Sequence, residues 1–381
     1  MNPIQKFLKR LFVKKRVVED DPKLGGLAAS DAILCDLVNE KKVPGLAITV
    51  IKDGKTILQK GYGYADLEKE ISIDPSKTIF RIASVSKPIA ATALAHMVAN
   101  EQIDLDASFY DYVPYFPKKK RDFTIRQLAS HTAGIRGYKG MEYGLNKPYT
   151  IKESIEIFKD DALLFEPGTN YLYNSYDWVL ISLAMQEVSG IPFEVYVKEK
   201  VLGPLGMANT FAPNVTLSAR PNDTVGQAVE GLRNSKEAST ALSLIDNLAT
   251  FYSKNRLGFR KAIPVNNFYK LAGGGYLSTC EDISKLGQAY LDGEILNEEI
   301  RTKFLTSETV NGKPTYYGLG WQVSEDKVGR HYYGHIGNGV GGYSNFLVYP
   351  EEQMVFSIVI NCTDPKVQDD LDKVAEVLLK A

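Results

Sequence analysis

Ser84 and Lys87 stand three residues apart in the run Arg81-Ile82-Ala83-Ser84-Val85-Ser86-Lys87-Pro88. A serine hydroxyl is a poor nucleophile until a neighbour takes its proton. Lysine can do so only as the neutral amine, and burial, which disfavours the ammonium, is what would keep it neutral. On a helix, a spacing of three puts both side chains on one face. The chain around them supplies that helix. An extended run from Thr78 to Ala83 stops at Ser84. Beyond it Ala91, Leu94, Ala95 and Val98 recur at helical spacing, with Ala90, Ala93 and Met97 on the other sides, predicting a helix buried nearly all round. Pro88 is tolerated only near its start. Ser84 is therefore predicted at the helix N-terminal end, where free N–H groups and the positive end of the dipole favour a developing oxyanion. Ser-x-x-Lys is a short pattern, and context decides its meaning. A second match, Ser324-Glu325-Asp326-Lys327, lies in a charged turn with no helix behind it and is read as chance.

Two other stretches carry polar chemistry. Glu166-Pro167-Gly168-Thr169-Asn170-Tyr171-Leu172-Tyr173-Asn174-Ser175 places a turn and several polar groups just before an apolar helix. Tyr173 there is a candidate proton shuttle if a nearby cation lowers its pKa. The plainer alternative is one aromatic among 22 tyrosines. Gly334-His335-Ile336-Gly337-Asn338-Gly339-Val340-Gly341-Gly342-Tyr343 reads as a strand end followed by a glycine-rich turn, and such glycines let backbone approach a ligand closely. His331, at alternating spacing on a strand, reads as structural.

The elements that must hold these residues predict an α+β fold. Ser30 is expected to cap a helix with Ile33, Leu34, Leu37 and Val38 on its apolar face. Leu46–Ile51 and Thr56–Tyr62 form a hairpin about Asp53-Gly54. Residues 105–257 read mostly as helix and loop, with helices at 124–131, 151–158, 176–188 (closed by Gly190) and 193–201, and a polar surface loop over 214–234. Strand character returns at 273–278, 318–323, 330–335, 342–349 and 354–361, and a C-terminal amphipathic helix carries Leu371, Val374, Ala375 and Leu378. The antiparallel sheet is thus built from both chain ends and flanked by helices. Its organisation is a basic tail (1–26), an α/β lobe (27–104 and 258–381) and an inserted helical lobe (105–257), with the substrate site expected between the lobes.

Bulk composition narrows the function. At 381 residues, 44% hydrophobic and 24% charged, the chain can bury a large core. A net charge of −1 argues against a nucleic-acid binder, which would show a basic face. Cys35, Cys280 and Cys362 are odd in number and far apart, which suits reduced thiols and neither a disulfide framework nor a metal site, so no metal or cofactor is expected. Residues 1–16 hold six basic side chains, no acid, and Phe7, Leu8, Leu11 and Phe12 interspersed. This is no signal peptide, favouring a cytoplasmic or membrane-peripheral location, and a weak contact with an anionic membrane surface is a further expectation beside that of a solvated tail.

Taken together, the motifs resemble the serine β-lactamase/penicillin-binding-protein superfamily, within it the class C β-lactamase-like hydrolases and esterases, and most closely the mitochondrial serine β-lactamase-like group. The resemblance runs from Val43 to Cys362. Ser84-Val85-Ser86-Lys87 stands at the family's first motif, Tyr173-Asn174-Ser175 at the second and His335-Ile336-Gly337 at the third. Leu128–Gly134, Phe165–Gly168, Leu202–Met207 and Tyr317–Trp321 agree as framework. The resemblance implies a β-lactamase/transpeptidase-like fold and an acyl-enzyme on Ser84. Lys87 and Tyr173 would share the base and acid work. Backbone N–H groups of Ser84 and Asn338 would form the oxyanion hole, where losing one donor typically costs ~10²–10³ in rate. Ser175 and Gly337 would line the substrate site, and His335 would contact substrate or tune Tyr173. Two departures bear on the substrate: Ser175 replaces the usual Asn, and His335 replaces the usual Lys that grips a β-lactam carboxylate. A neutral histidine is the weaker anchor. Both changes point to an esterase or amidase acting on a small or peptidic substrate. A D-amino-acid peptidase or carboxypeptidase, a weak β-lactamase, and a non-enzymatic penicillin-binding sensor or scaffold remain as alternatives.

Overall fold

Asp53 and Gly54 both take positive φ (50° and 72°), the tight turn that suits a two-residue hairpin loop. They join β1 (Gly45–Lys52) to β2 (Lys55–Asp66) in the computed structural model, which describes residues 26–213 and 244–380. The basic stretch 1–16 and the polar stretch 214–234 lie outside the described residues. A short β3 (Ile71–Ser72) extends this edge. From the far end of the chain come β4 (Gln322–Glu325), β5 (His331–Gly339), β6 (Gly342–Tyr349) and β7 (Met354–Ile360). They assemble as one seven-stranded sheet in the order β4-β5-β6-β7-β1-β2-β3, with every neighbouring pair antiparallel. Leu46 faces Ile360 and Val50 faces Phe356, so the sheet is closed where the two chain ends meet. This is the α+β architecture that the sequence predicts.

The central strands are buried on both faces, and their alternation sorts side chains between two cores. Leu46, Ile48 and Val50 of β1 pack with α1 (Gly26–Asn39) and a C-terminal helix, α6 (Gln368–Leu379), whose Leu371, Val374, Ala375 and Leu378 all turn inward. Ala47 and Ile51 point the other way, into the larger core with α2 (Ser86–Ala99), α4 (Tyr176–Ser189) and α5 (Cys280–Asp292). Between α2 and α4 the chain passes through α3 (Ile125–Ala129), whose Thr124 and Gln127 form a reciprocal capping box. In α2 the residues from Ser86 to Ala95 and Met97 are all buried, as their pattern requires. A small hairpin, Tyr252–Asn255 with Gly258–Lys261, straddles residue 257, where the sequence placed the end of the helical lobe. Among the described residues no helix is long and apolar enough to cross a membrane.

Several local expectations are corrected. Ser30 lies inside α1, donating to the Leu27 carbonyl at 2.9 Å, and caps nothing. Of the stretch 273–278 only Leu277–Ser278 is strand, pairing with Phe80–Arg81; Leu271–Gly275 is a wide helical turn. Residues 318–321 precede β4 and are not strand. The glycines of the β5–β6 hairpin do permit a close approach, but what approaches is the protein's own chain. A Cβ on Gly337 would stand 2.4 Å from the Ile82 carbonyl oxygen, and one on Gly342 2.3 Å from that of Arg81.

Candidate active site

That close approach sets the position of Ser84. Residues Ala83–Val85 form a single 3₁₀ turn ahead of α2, and Ala83 takes φ +45°, a conformation that a residue with a Cβ holds only when its surroundings impose it. They do impose it. Ser344 of β6 donates to the Ile82 carbonyl (2.6 Å), and Ser86 donates to that of Ala83 (2.7 Å) while accepting from Tyr276 N–H (3.1 Å). The Arg81 guanidinium donates to the Val340 carbonyl in the glycine turn (2.8 Å) and lies over the Phe251 ring. Ser84 is thereby fixed on a rigid corner between the sheet and α2.

Lys87, one turn on, is fully buried. Its Nζ reaches three oxygens: Tyr173 OH (2.7 Å), the Gly273 carbonyl (2.7 Å) and Ser84 Oγ (3.2 Å). Burial is the main force on the amine. The Asp177 carboxylate opposes it, the Lys270 charge adds to it, and the result is a lysine pushed from its ordinary 10.5 down to about 7. A neutral amine fits the contacts: two N–H groups donate to Gly273 and Tyr173, leaving the lone pair for the Ser84 proton. The Gly273 carbonyl is available because the 271–275 turn packs on α2 and α4, and glycine at 273 leaves room for the Ser175 backbone 3.0 Å from where a Cβ would sit.

Tyr173 completes the group, with its hydroxyl 2.8 Å from Ser84 Oγ. It arrives on a segment tied to the turn after α3, where Leu172 N–H donates to the His131 carbonyl and Gly168 N–H to that of Thr132, both at 2.9 Å. The residue is partly open to solvent (38% exposed), and its hydroxyl lies 2.7 Å from the buried Lys87 Nζ. Contrary to the idea of a cation lowering its pKa, burial pushes this phenol above its ordinary value, so it keeps its proton and donates it towards Ser84. The tuned group is the lysine.

The remaining sequence candidates fall into two sets. Gly337 and Gly339 run alongside residues 82–84, and Gly337 would bring a Cβ to 3.1 Å from Ser84 N. Asn338 is exposed on the same strand edge, with its carbonyl accepting from Tyr143 OH (3.4 Å). Ser175 stands immediately before α4, with its backbone carbonyl against Gly273. His335 lies deeper. It is buried, with Nε2 3.0 Å from Tyr317 OH and Nδ1 2.7 Å from the Ile336 carbonyl. Burial first, and the Lys87 charge second, push it down to about 3, so it is neutral. Its ring centre lies 5.8 Å from that of Tyr173, with no hydrogen bond between them. His331 is exposed beside Glu325.

Three residues near the centre were not singled out from sequence: His131, Asp177 and Tyr317. His131 Nδ1 is 2.7 Å from Asp177 Oδ2, both are fully buried, and the imidazole sits between the Tyr173 ring (4.6 Å) and the Tyr317 ring (4.8 Å). The available signal was an acid inside the apolar pattern of α4. Among the described residues no group of three or more His, Cys, Asp or Glu gathers as a metal site would.

Two chain ends closed into one antiparallel sheet, with a serine held at its edge between a desolvated lysine and a tyrosine, define a serine hydrolase of the β-lactamase/penicillin-binding-protein superfamily. A family model described as Beta-lactamase matches residues 30–379, and the chain belongs to that family. It is 28% identical to the human "Serine beta-lactamase-like protein LACTB, mitochondrial", over 86% of this chain and 72% of that protein. In fold it is similar to an octameric penicillin-binding protein homologue from Pyrococcus abyssi (TM-score 0.75, 24% identity, 93% of this chain and 77% of that one). A D-amino acid amidase from Ochrobactrum anthropi SV3 superposes as well (TM-score 0.74, 20% identity, 92% and 98%).

Proposed function

We propose that this protein hydrolyses ester or amide bonds of a small or peptidic substrate through an acyl-enzyme on Ser84. One observation carries the reading: a fully buried lysine amine and a tyrosine hydroxyl both lie within hydrogen-bond reach of the same serine oxygen. Lys87 takes the Ser84 proton as the oxygen attacks the carbonyl carbon, and the carbonyl π pair moves onto its oxygen. Backbone N–H groups of Ser84 and Asn338 receive that oxyanion. As the tetrahedral species collapses, Tyr173 gives its proton to the leaving group and recovers one from the Lys87 ammonium. Water, deprotonated by the same pair, then releases the acyl group.

The third motif bears on the substrate. His335 is neutral, buried, and has both ring nitrogens engaged, so it offers a β-lactam carboxylate no cation. Slow β-lactam turnover is expected. D-aminoacyl amides belong among the substrates to try, because a fold neighbour is described as a D-amino acid amidase. The test is a fluorophosphonate probe read by intact mass and peptide mapping, with p-nitrophenyl esters, D- and L-aminoacyl anilides and nitrocefin as substrates. One adduct on Ser84, and turnover lost in Ser84→Ala, is the expected result. Turnover that survives Ser84→Ala, or no adduct at all, sinks the proposal.

A further inference from the structure

A second buried lysine takes no part in the steps just described. Lys270 leads into the 271–275 turn, whose Gly273 carbonyl lies 2.7 Å from Lys87 Nζ and whose glycines pack against Ala83 and the Ser175 carbonyl. Lys270 is buried, yet Nζ makes a single hydrogen bond, to the Tyr143 carbonyl (3.1 Å), and no ion pair among the described residues. The rest of its surroundings are rings. Those of Tyr138, Tyr143 and Tyr269 have their centres 5.0, 5.6 and 5.7 Å from Nζ. Aromatic faces attract a cation, but they give its N–H groups no oxygen, so two of the three are left without one. A buried ammonium without a carboxylate is costly, and an apolar side chain of the same length would avoid that cost.

The loop that supplies two of those rings carries an acid, and the acid is turned away. Glu142 receives the Arg136 guanidinium (2.6 and 3.0 Å), the Lys139 N–H (2.7 Å) and the Tyr176 hydroxyl (2.9 Å). The loop is thereby fixed, with its one carboxylate committed to other partners. Tyr143, exposed on this loop, links the lysine to the reaction centre. Its carbonyl accepts from Lys270, and its hydroxyl donates to the Asn338 carbonyl (3.4 Å), on the strand edge that runs beside Ser84. Tyr173, which gives its proton to the leaving group in the mechanism above, has a different set of ring neighbours: His131, Tyr317 and His335. The leaving group therefore belongs beside Tyr173, and the acyl group on the side of Asn338 and Tyr143.

Resting on the acyl-enzyme reading above, we propose that Lys270 is a specificity-determining residue: with Tyr138 and Tyr143 around it, its ammonium binds a carboxylate carried on the acyl part of the substrate. One cation balances one carboxylate, and the free N–H groups gain the oxygens they lack. His335, neutral at the third motif, supplies no such charge. Burial first, and the Arg81 charge second, lower Lys270 to about 7, so near neutral pH about half of the molecules carry the ammonium. A carboxylate in contact favours the charged form and draws the proton on. The other groups facing Nζ do not titrate there. Burial holds the Tyr138, Tyr143 and Tyr269 phenols above their ordinary value, and Arg81, which donates to the Val340 carbonyl, stays charged.

The test measures kcat/KM for p-nitrophenyl monoesters of the straight-chain dicarboxylic acids from succinic to suberic, each against the neutral p-nitrophenyl alkanoate of equal length. At pH 7 the wild type should prefer at least one acidic ester to its neutral partner by about tenfold or more, and the preference should fall as pH rises from 7 to 9 and the ammonium is lost. Lys270→Met and Lys270→Gln should each bring the ratio to about one, mostly through KM. The ratio cancels whatever either variant does to Lys87, because both esters use the same base. Two variants are used so that one that fails to fold leaves the other, and the wild-type pH series needs neither. No preference at any chain length, a preference that holds level to pH 9, or one that survives in a folded Lys270 variant overturns the proposal. Absence of any Ser84 adduct in the wild type would overturn the acyl-enzyme reading itself, a separately visible result.

Discussion

Lys87→Met should make this protein inactive and should remove a pH-dependent part of its stability. The folded chain holds Lys87 fully buried and lowers it from 10.5 to about 7. At ~1.4 kcal/mol per unit, keeping that amine inside costs the fold roughly 4 kcal/mol near pH 7. Methionine has similar length and no charge to desolvate. Against its gain stand the Gly273 carbonyl and the Tyr173 hydroxyl, which lose their Nζ donor, at about 1–3 kcal/mol for each group left unpaired. Those losses, about 2–6 kcal/mol together, offset the relief, so near pH 7 the two proteins should agree in stability to within about 2 kcal/mol, and the pH dependence is the signature. Between about 7 and 10.5 the unfolded lysine binds more protons than the folded one, so wild-type stability rises with pH across that window. The variant has no such rise. Its stability relative to the wild type should fall by up to ~1.4 kcal/mol per unit as pH climbs above 7, and should be constant below it. Urea unfolding of both proteins near pH 6, 7, 8 and 9 reads the difference, in which other titrating groups cancel. A stability difference that stays flat from pH 7 to 9 would refute the claim that burial lowers this lysine, and with it the account of Lys87 as a base.

Three further outcomes follow from the same geometry. Wild-type kcat/KM should fall about tenfold per unit below pH 7, where Lys87 takes up its proton, and flatten above it; a profile level down to pH 5 would contradict this. Tyr173→Phe should lose ~10²–10⁴ in kcat with little change in KM, since it removes the proposed proton carrier while keeping the ring. Gly337→Ala should lower both the melting temperature and the acylation rate, because its Cβ would meet Ser344 Oγ at 2.2 Å and the Ile82 carbonyl at 2.4 Å, displacing the turn that carries Ser84; a stable, fully active variant would show that turn to be less tightly set than the structure has it.

What could be read beforehand was whatever depends on local periodicity. The apolar run of α2, the Asp53-Gly54 turn, the inward face of α6 and the paired ends of the sheet all follow from spacing along short segments. The turn that aims Ser84 does not. Nothing in Ile82-Ala83-Ser84 requires Ala83 to take positive φ; Ser344, more than 250 residues away in sequence, holds it there through the Ile82 carbonyl. Glycines at 337 and 342 were visible as glycines. Their purpose, admitting the chain at 81–84, needed the register of β5 on β6. Likewise His335 has the residue type of a substrate ligand, and only its contact with Tyr317 shows both nitrogens occupied.

The same contrast explains why Asp177 was passed over. A helix of Tyr176, Trp178, Val179, Leu180 and Ile181 announces burial, and burial argues against a charge. Yet the reaction proposed here makes a charge in the interior, at Lys87. An enclosure apolar enough to hold that lysine neutral at rest would, without oxygens placed to receive its N–H groups, also oppose its protonation when Ser84 attacks. Burial and the oxygens around Nζ are therefore two halves of one requirement: burial frees the amine's lone pair, and the Tyr173 hydroxyl and Gly273 carbonyl, each 2.7 Å away, receive the N–H groups of the ammonium once it forms. A chain that met only the first would present a good nucleophile at equilibrium and a poor transition state.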